Sequence, residues 1–401
     1  MNKIALVGAA LWLAGTGAAA LADEPIPPPG APPAAAPAAP TSNAMTSPTL
    51  TGPLAANPNP AKFDAGPLGT VYVTGVLSGL AYTESNHFAT DHESGADISN
   101  GQVIVQTTSG PLQFYAQAGI YSVPDLGSPY LRATNANSQL YGPLPVAWGK
   151  WVVDDSFNIQ AGKLPTLIGA EYTFSFQNMN IERGLLWNQE PAVSKGVQLN
   201  YTMGPMAYAL SVNDGFDSDN FNWLTGSATW TIDPANTLSV VAGGNWGQTG
   251  TNTLLTPLAQ SNSTIVNLIY TYNAAPWTIT PYFQYTNVPA NTHLGFTHDA
   301  SSIGFAVLAN YQINDNWNIS GRGEYITTDG SVANGAANLL YGPGSNAFSF
   351  TLTPTYQQGI FFIRGEASYV GASDTTAGFA FGKSGNSKDQ ARLVLEGGVL
   401  F

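Results

Sequence analysis

Three stretches near the carboxyl end carry arginine and glutamate two or four residues apart: Arg322 and Glu324, Arg364 and Glu366, Arg392 and Glu396. In an extended chain, residues of equal parity point to one side, so the members of each pair share a face. The opposite faces hold Trp317, Ile319 and Tyr325 in the first stretch and Phe361, Ile363 and Tyr369 in the second. Two chemistries fit such a face. It can act as a charged wall on ions passing beside it, or as a ladder of ion pairs tying neighbouring strands together. A second set, Glu171, Glu182, Arg183 and Glu190, lies in the stretch 165–193, which interrupts the strand pattern. A loop of that length usually has a functional reason to be long. These four residues are therefore candidates for narrowing a passage, with an ordinary exposed loop as the alternative; Lys163, just before it, can point to either side.

Other chemistries find little support. The chain has no cysteine, which removes disulfides, thiolate nucleophiles and cysteine metal sites. The four histidines, His87, His92, His293 and His298, fall in candidate loops, and neither Gly-x-Ser-x-Gly nor His-Glu-x-x-His occurs. No catalytic residue, metal ligand or cofactor is assigned. Two acidic runs, Asp91 to Asp97 and Asp214 to Asp219, offer oxygen ligands for calcium but lack the EF-hand spacing, so solvated loops are expected there. A net charge of −13 argues against nucleic acid, which requires a basic footprint.

The elements that must position these residues follow from alternation. About sixteen strand candidates run from 70–83 and 98–109 to 359–371 and 388–401, each with period two. Val197, Leu199 and Tyr201 oppose Gln198, Asn200 and Thr202; Trp277, Ile279, Phe283 and Tyr285 oppose Thr278, Thr280, Gln284 and Thr286. Seven connections carry tight-turn residues, among them Ser109-Gly110-Pro111, Gly204-Pro205 and Asn314-Asp315-Asn316, and they alternate with eight longer polar loops. Trp230, Trp277, Tyr311, Trp317 and Tyr356 sit by the short turns, whereas Trp246, Tyr285, Tyr325, Phe348 and Tyr369 sit by the long loops. Two aromatic girdles, an even strand count and turn–loop asymmetry describe a closed antiparallel transmembrane β-barrel, all-β, with short periplasmic turns and longer extracellular loops. Only 9% of residues are charged, against roughly 25% in soluble domains, although many strand faces are polar. Arginine on a lipid face costs roughly 2 to 4 kcal/mol at mid-membrane, so the paired charges are expected to face the lumen.

The amino end has its own signals. Met1 to Ala22 reads as a cleaved signal peptide, with Lys3 ahead of an apolar run and Ala20-Leu21-Ala22 as the cleavage site. Residues 23–62, rich in Pro and Ala, are expected to be a disordered periplasmic tether, and 63–401 the barrel. The last stretch, Asp389 to Phe401, places Leu393, Leu395, Val399 and Phe401 toward lipid and Arg392 and Glu396 inward. It is expected to close the ring against a strand near Val71 to Tyr82.

The run Gly162-Lys163-Leu164-Pro165, followed by Gly169-Ala170-Glu171 and by Arg183-Gly184-Leu185-Leu186, resembles the OmpL-like β-barrel porin-2 family of bacterial outer-membrane porins. The chain departs from the family pattern in having Glu182, where a Ser often precedes the Arg. The resemblance implies a water-filled channel for small hydrophilic solutes and ions, with the 165–193 loop folded inward. The terminal Phe401 resembles the signature that the outer-membrane barrel-assembly machinery reads. Outer-membrane lipids and a homo-oligomer are further expected partners, and the loop acids point to a mild preference for cations. The alternatives are a structural or adhesive barrel with a plugged lumen and, less favoured, an outer-membrane enzyme.

Overall fold

The computed structural model describes Pro53–Phe401. The expected signal peptide and the tether up to residue 52 lie outside the described residues. Among those residues the chain forms seventeen strands: β1 Ala61–Asp64, β2 Thr70–Glu84, β3 Ser94–Thr107, β4 Leu112–Tyr121, β5 Val146–Val152, β6 Phe157–Pro165, β7 Val193–Met203, β8 Met206–Asn213, β9 Trp223–Asp233, β10 Asn236–Asn245, β11 Thr264–Ala274, β12 Trp277–Val288, β13 Ala300–Gln312, β14 Trp317–Thr328, β15 Asn346–Gln358, β16 Phe361–Ser373 and β17 Asp389–Leu400. From β2 onward each strand pairs antiparallel with the next, and β17 pairs with β2, Leu400 opposite Val76 and Arg392 opposite Glu84. The result is a closed barrel of sixteen strands. Closure leaves none of the sixteen with an open edge, which a lipid environment would not tolerate. No helix among the described residues is long and apolar enough to cross a membrane.

Burial follows parity. On β17, Leu393 and Leu395 are exposed while Arg392, Val394 and Glu396 are buried. On the outside, Phe350 and Phe361 are 64% and 65% exposed amid a continuous band of Leu, Val, Ile and aromatic side chains. A band of that extent is stable only against lipid or a partner surface. Aromatic rings pair across strands where the girdle was expected, Trp277 with Tyr311 at 4.7 Å between centroids and Trp317 with Tyr356 at 5.0 Å. The terminal Phe401 exchanges backbone hydrogen bonds of 2.8 and 2.9 Å with Gly75 on β2. Its ring lies where a β-carbon on residue 75 would stand, 2.5 Å away, so only glycine admits it there.

Two expectations need correction. The boundary between tether and barrel at 62/63 falls inside β1, whose Ala61 to Asp64 pair with Val73 to Thr70 on β2. Upstream of it, Leu54 is only 2% exposed and packs with Val76, Ile104, Phe362 and Leu400, all on inward faces. Ala55 adds a two-way bond to the Gln357 side chain, at 2.8 and 2.9 Å. Apolar burial plus these bonds holds 53–62 against the barrel, where Pro/Ala composition alone suggested a loose spacer. The two acidic runs are also less solvated than expected. Asp91 accepts from the Tyr82 hydroxyl and the Tyr130 amide, and Asp214 accepts from the Lys195 and Asp219 amides while Asp217 pairs with Lys195 at 2.8 Å. These carboxylates order loops, and no group of three or more metal-ligating side chains occurs among the described residues.

Candidate functional site: a folded-in loop and the two walls beside it

The eight long loops share one rim, and the one between β6 and β7 turns back inside the ring. It holds two single-turn 3-10 segments, Ser175–Gln177 and Trp187–Gln189. Glu171, Glu182, Arg183 and Glu190 are all buried in it. Apolar residues pin it from within: Phe174 and Phe176 join Tyr115, Tyr121 and Trp148, while Leu185 and Leu186 pack with Tyr282, Ala306 and Ile326.

The charged faces of β14, β16 and β17 meet this loop directly. Arg322 donates to the Glu171 carboxylate at 2.7 Å and to the Glu182 carbonyl at 2.7 Å. Arg392 donates to the Glu182 carboxylate and, at 2.5 Å, to Glu84 on β2. Arg364 pairs with Glu396 across the β16–β17 register and donates to the Asn178 carbonyl at 3.1 Å. The glutamates of the wall receive the loop backbone. Glu366 accepts from the amides of Ile181 (2.5 Å) and Glu182 (3.0 Å), and Glu324 from those of Leu185 (3.1 Å) and Leu186 (3.3 Å). A β-carbon on Gly184 would collide with Glu324 Oε1, so the glycine lets the wall carboxylate come this close. The ten sequence candidates thus form neither a bare charged wall nor a ladder confined to it. Nine are linked in a clamp between wall and loop or pack beside it, and the tenth, Arg183, turns away to Asp125 at 3.2 Å.

Two groups beside the clamp are incompletely matched. Both carboxylate oxygens of Glu190 are buried without a hydrogen-bond partner, as is the nearby Tyr282 hydroxyl. Burial and the neighbouring Glu171 and Glu324 hold the Glu190 carboxyl well above the usual carboxylate range. Arg183 has its guanidinium 5.5 Å from the Trp187 ring centroid, and neither terminal nitrogen has a hydrogen-bond partner.

The wall from β4 to β12 is built otherwise. Away from the aromatic and apolar side chains that meet the loop, its inward residues are mostly amides and hydroxyls that bond to one another: Gln198 to Asn200 at 2.8 Å, Asn200 to Asn158 at 2.9 Å, Thr229 to Ser239 at 2.7 Å, and Thr271 to Thr280 at 3.2 Å. Asn158, Gln160, Asn200, Thr229, Ser239 and Thr271 keep partial solvent exposure. Lys150 stands among them. Lys163, whose direction the sequence left open, donates to the Tyr141 carbonyl at 2.7 Å and lies 3.6 Å from Asp217, tying two loops to the end of β6.

Sequence reasoning missed Glu84 and Asp125. Glu84 shares parity with the inward Ser78, Leu80 and Tyr82 and could have been found by extending that strand; Asp125 lies in a loop without periodicity and gave no signal.

The barrel is similar to solved outer-membrane proteins. The outer membrane channel DcaP of Acinetobacter baumannii matches with a TM-score of 0.57 at 12% identity, over 85% of this chain and 100% of that one. Outer-membrane expressed OmpT of Vibrio cholerae matches with a TM-score of 0.55 at 13% identity, over 86% of this chain and 100% of that one. At such identities the likeness is one of fold. Comparison with curated proteins returns no match. The family model "Putative beta-barrel porin-2, OmpL-like" matches residues 70–401, from the first long strand to the last residue. With barrel, inward loop and family match in agreement, the chain belongs to this family of outer-membrane porin-like barrels.

Proposed function

We propose that the protein is an outer-membrane porin through which small hydrophilic solutes and ions diffuse passively. The observation that carries this reading is the polar wall from β6 to β12, where Asn158, Gln160, Asn200, Thr229, Ser239 and Thr271 stay partly exposed to water. Glu171, Glu182, Arg183 and Glu190 then belong to the segment that narrows the passage, and the wall arginines and glutamates hold that segment in place. Export by a signal peptide cut after Ala22, a periplasmic tether ending before Pro53, engagement of the assembly machinery through Phe401 and a homo-oligomeric state complete the reading. A solved OmpT of Vibrio cholerae is described as a trimer form, which supports the last of these by analogy of fold. Planar-bilayer recording on purified, folded protein tests the proposal: stepwise conductance is expected, and its absence would count decisively against it.

One observation favours a second reading, a structural barrel with a plugged lumen. The loop is held by many bonds, and Leu54 fills part of the interior near the opposite rim. Removing residues 23–52, which leaves Leu54 and β1 in place, separates the two, since envelope defects at unchanged permeability would support the structural barrel.

A further inference from the structure

The expectation of cation preference rested on loop carboxylates, and in the fold Glu171 and Glu182 are bound to arginines and, for Glu171, a backbone amide, while Glu190 is buried away from solvent. Charge that is already matched attracts little. The residue left to act on a passing ion is on the other wall. Lys150, in β5, pairs in register with Gln113 on β4 and Gln160 on β6, and its parity is that of the inward Trp148. It is partly exposed, its ammonium lies 6.0 Å from the Trp148 ring centroid, and no carboxylate reaches it among the described residues. Its surroundings are neutral: Gln160 contacts Gln198 at 3.5 Å, and Gln198 continues to Asn200. A lone ammonium flanked by amides is a site for a small anion, with the charge giving attraction and the amides donating further hydrogen bonds.

We infer that Lys150, with Gln113 and Gln160 beside it, forms an anion-attracting subsite in the open half of the lumen, selecting carboxylate- or phosphate-bearing solutes over cations. This rests on the diffusion reading above, because only a water-filled lumen brings solutes to Lys150.

The absence of native cysteine makes Gln160→Cys the single thiol of the chain. Folded Q160C protein is treated with an anionic sulfonate-bearing and a cationic trimethylammonium-bearing thiosulfonate, with and without Lys150→Gln. With Lys150 present the anionic reagent should react faster, and K150Q should lower the anionic-to-cationic rate ratio by about 25-fold, because one unit charge met at about 4 Å in water speeds the anion and slows the cation by about fivefold each. In parallel, reversal potentials in a salt gradient should shift toward cation selectivity in K150Q and further in K150E. An unreactive thiol in the Q160C protein, or a rate ratio that K150Q leaves unchanged, would overturn the subsite, as would reversal potentials identical to those of the parent protein. Absence of any current from folded protein would end the diffusion reading instead, and the thiol rates would still decide whether Lys150 draws anions.

Discussion

The two sides of the lumen are built from the same alternating strands and behave as opposites. On β14, β16 and β17 the inward faces are ionic, buried and consumed by contacts with the loop; on β6 to β12 they are neutral, bonded mainly to one another and partly wet. Strong charge therefore serves position, and weak polarity is left to meet solutes. A buried ion pair adds little net stability, because desolvation cancels much of the attraction, yet removing one member is costly. Charges used in this way fix where the loop sits more than they strengthen the barrel.

That contrast can be broken or sharpened by experiment. The largest effect is expected for Arg364→Ala, which strands Glu396 in the interior and should destabilise the barrel by about 3 to 5 kcal/mol, read by thermal unfolding in detergent. A cost below about 1 kcal/mol would mean that the clamp is not ionic in the sense described. Next, replacing residues 170–188 with a short glycine linker should raise single-channel conductance several-fold. Unchanged conductance would place the limiting passage elsewhere. Third, burial and the neighbouring Glu171 and Glu324 raise the pKa of the Glu190 carboxyl. For a carboxyl raised in this way, its contribution to stability is present at low pH and is lost as pH rises through the elevated folded value. The parent protein should therefore lose melting temperature toward alkaline pH more steeply than Glu190→Gln, and parallel curves would reject the assignment. The smallest effect belongs to the other wall: Gln198→Ala should cost about 1 kcal/mol or less, because Asn200 can bond to water instead.

How much of this was legible beforehand depended on the period. Strand parity fixed the lumen side of Arg322, Arg364, Arg392 and their glutamates, since a wrong face would set charge in lipid, and the same alternation located all sixteen long strands. The partners of those charges were not legible. Which loop carboxylate meets which arginine depends on how an aperiodic stretch folds back, and residues 171–190 carry no pattern from which to compute it. Leu54 escaped for a related reason: one apolar residue in a Pro/Ala-rich stretch has no period, and only the inward Val76, Ile104, Phe362 and Leu400 give it a place to go.

The short β1 has a consequence for how the ring is made. Strand β17 covers β2 only from Val76 to Glu84, and β1 covers Thr70 to Val73 on the same edge. The seam is thus stitched from two pieces of chain more than three hundred residues apart in sequence, one of them folding back from the strand it joins. Contacts of such separation form slowly, because the intervening chain must first be ordered. The hairpin of β1 and β2 is local and can form early, shielding one end of that edge while the remainder waits for β17. It can therefore act as a temporary selvedge, leaving Val76 to Glu84 open for the proper partner.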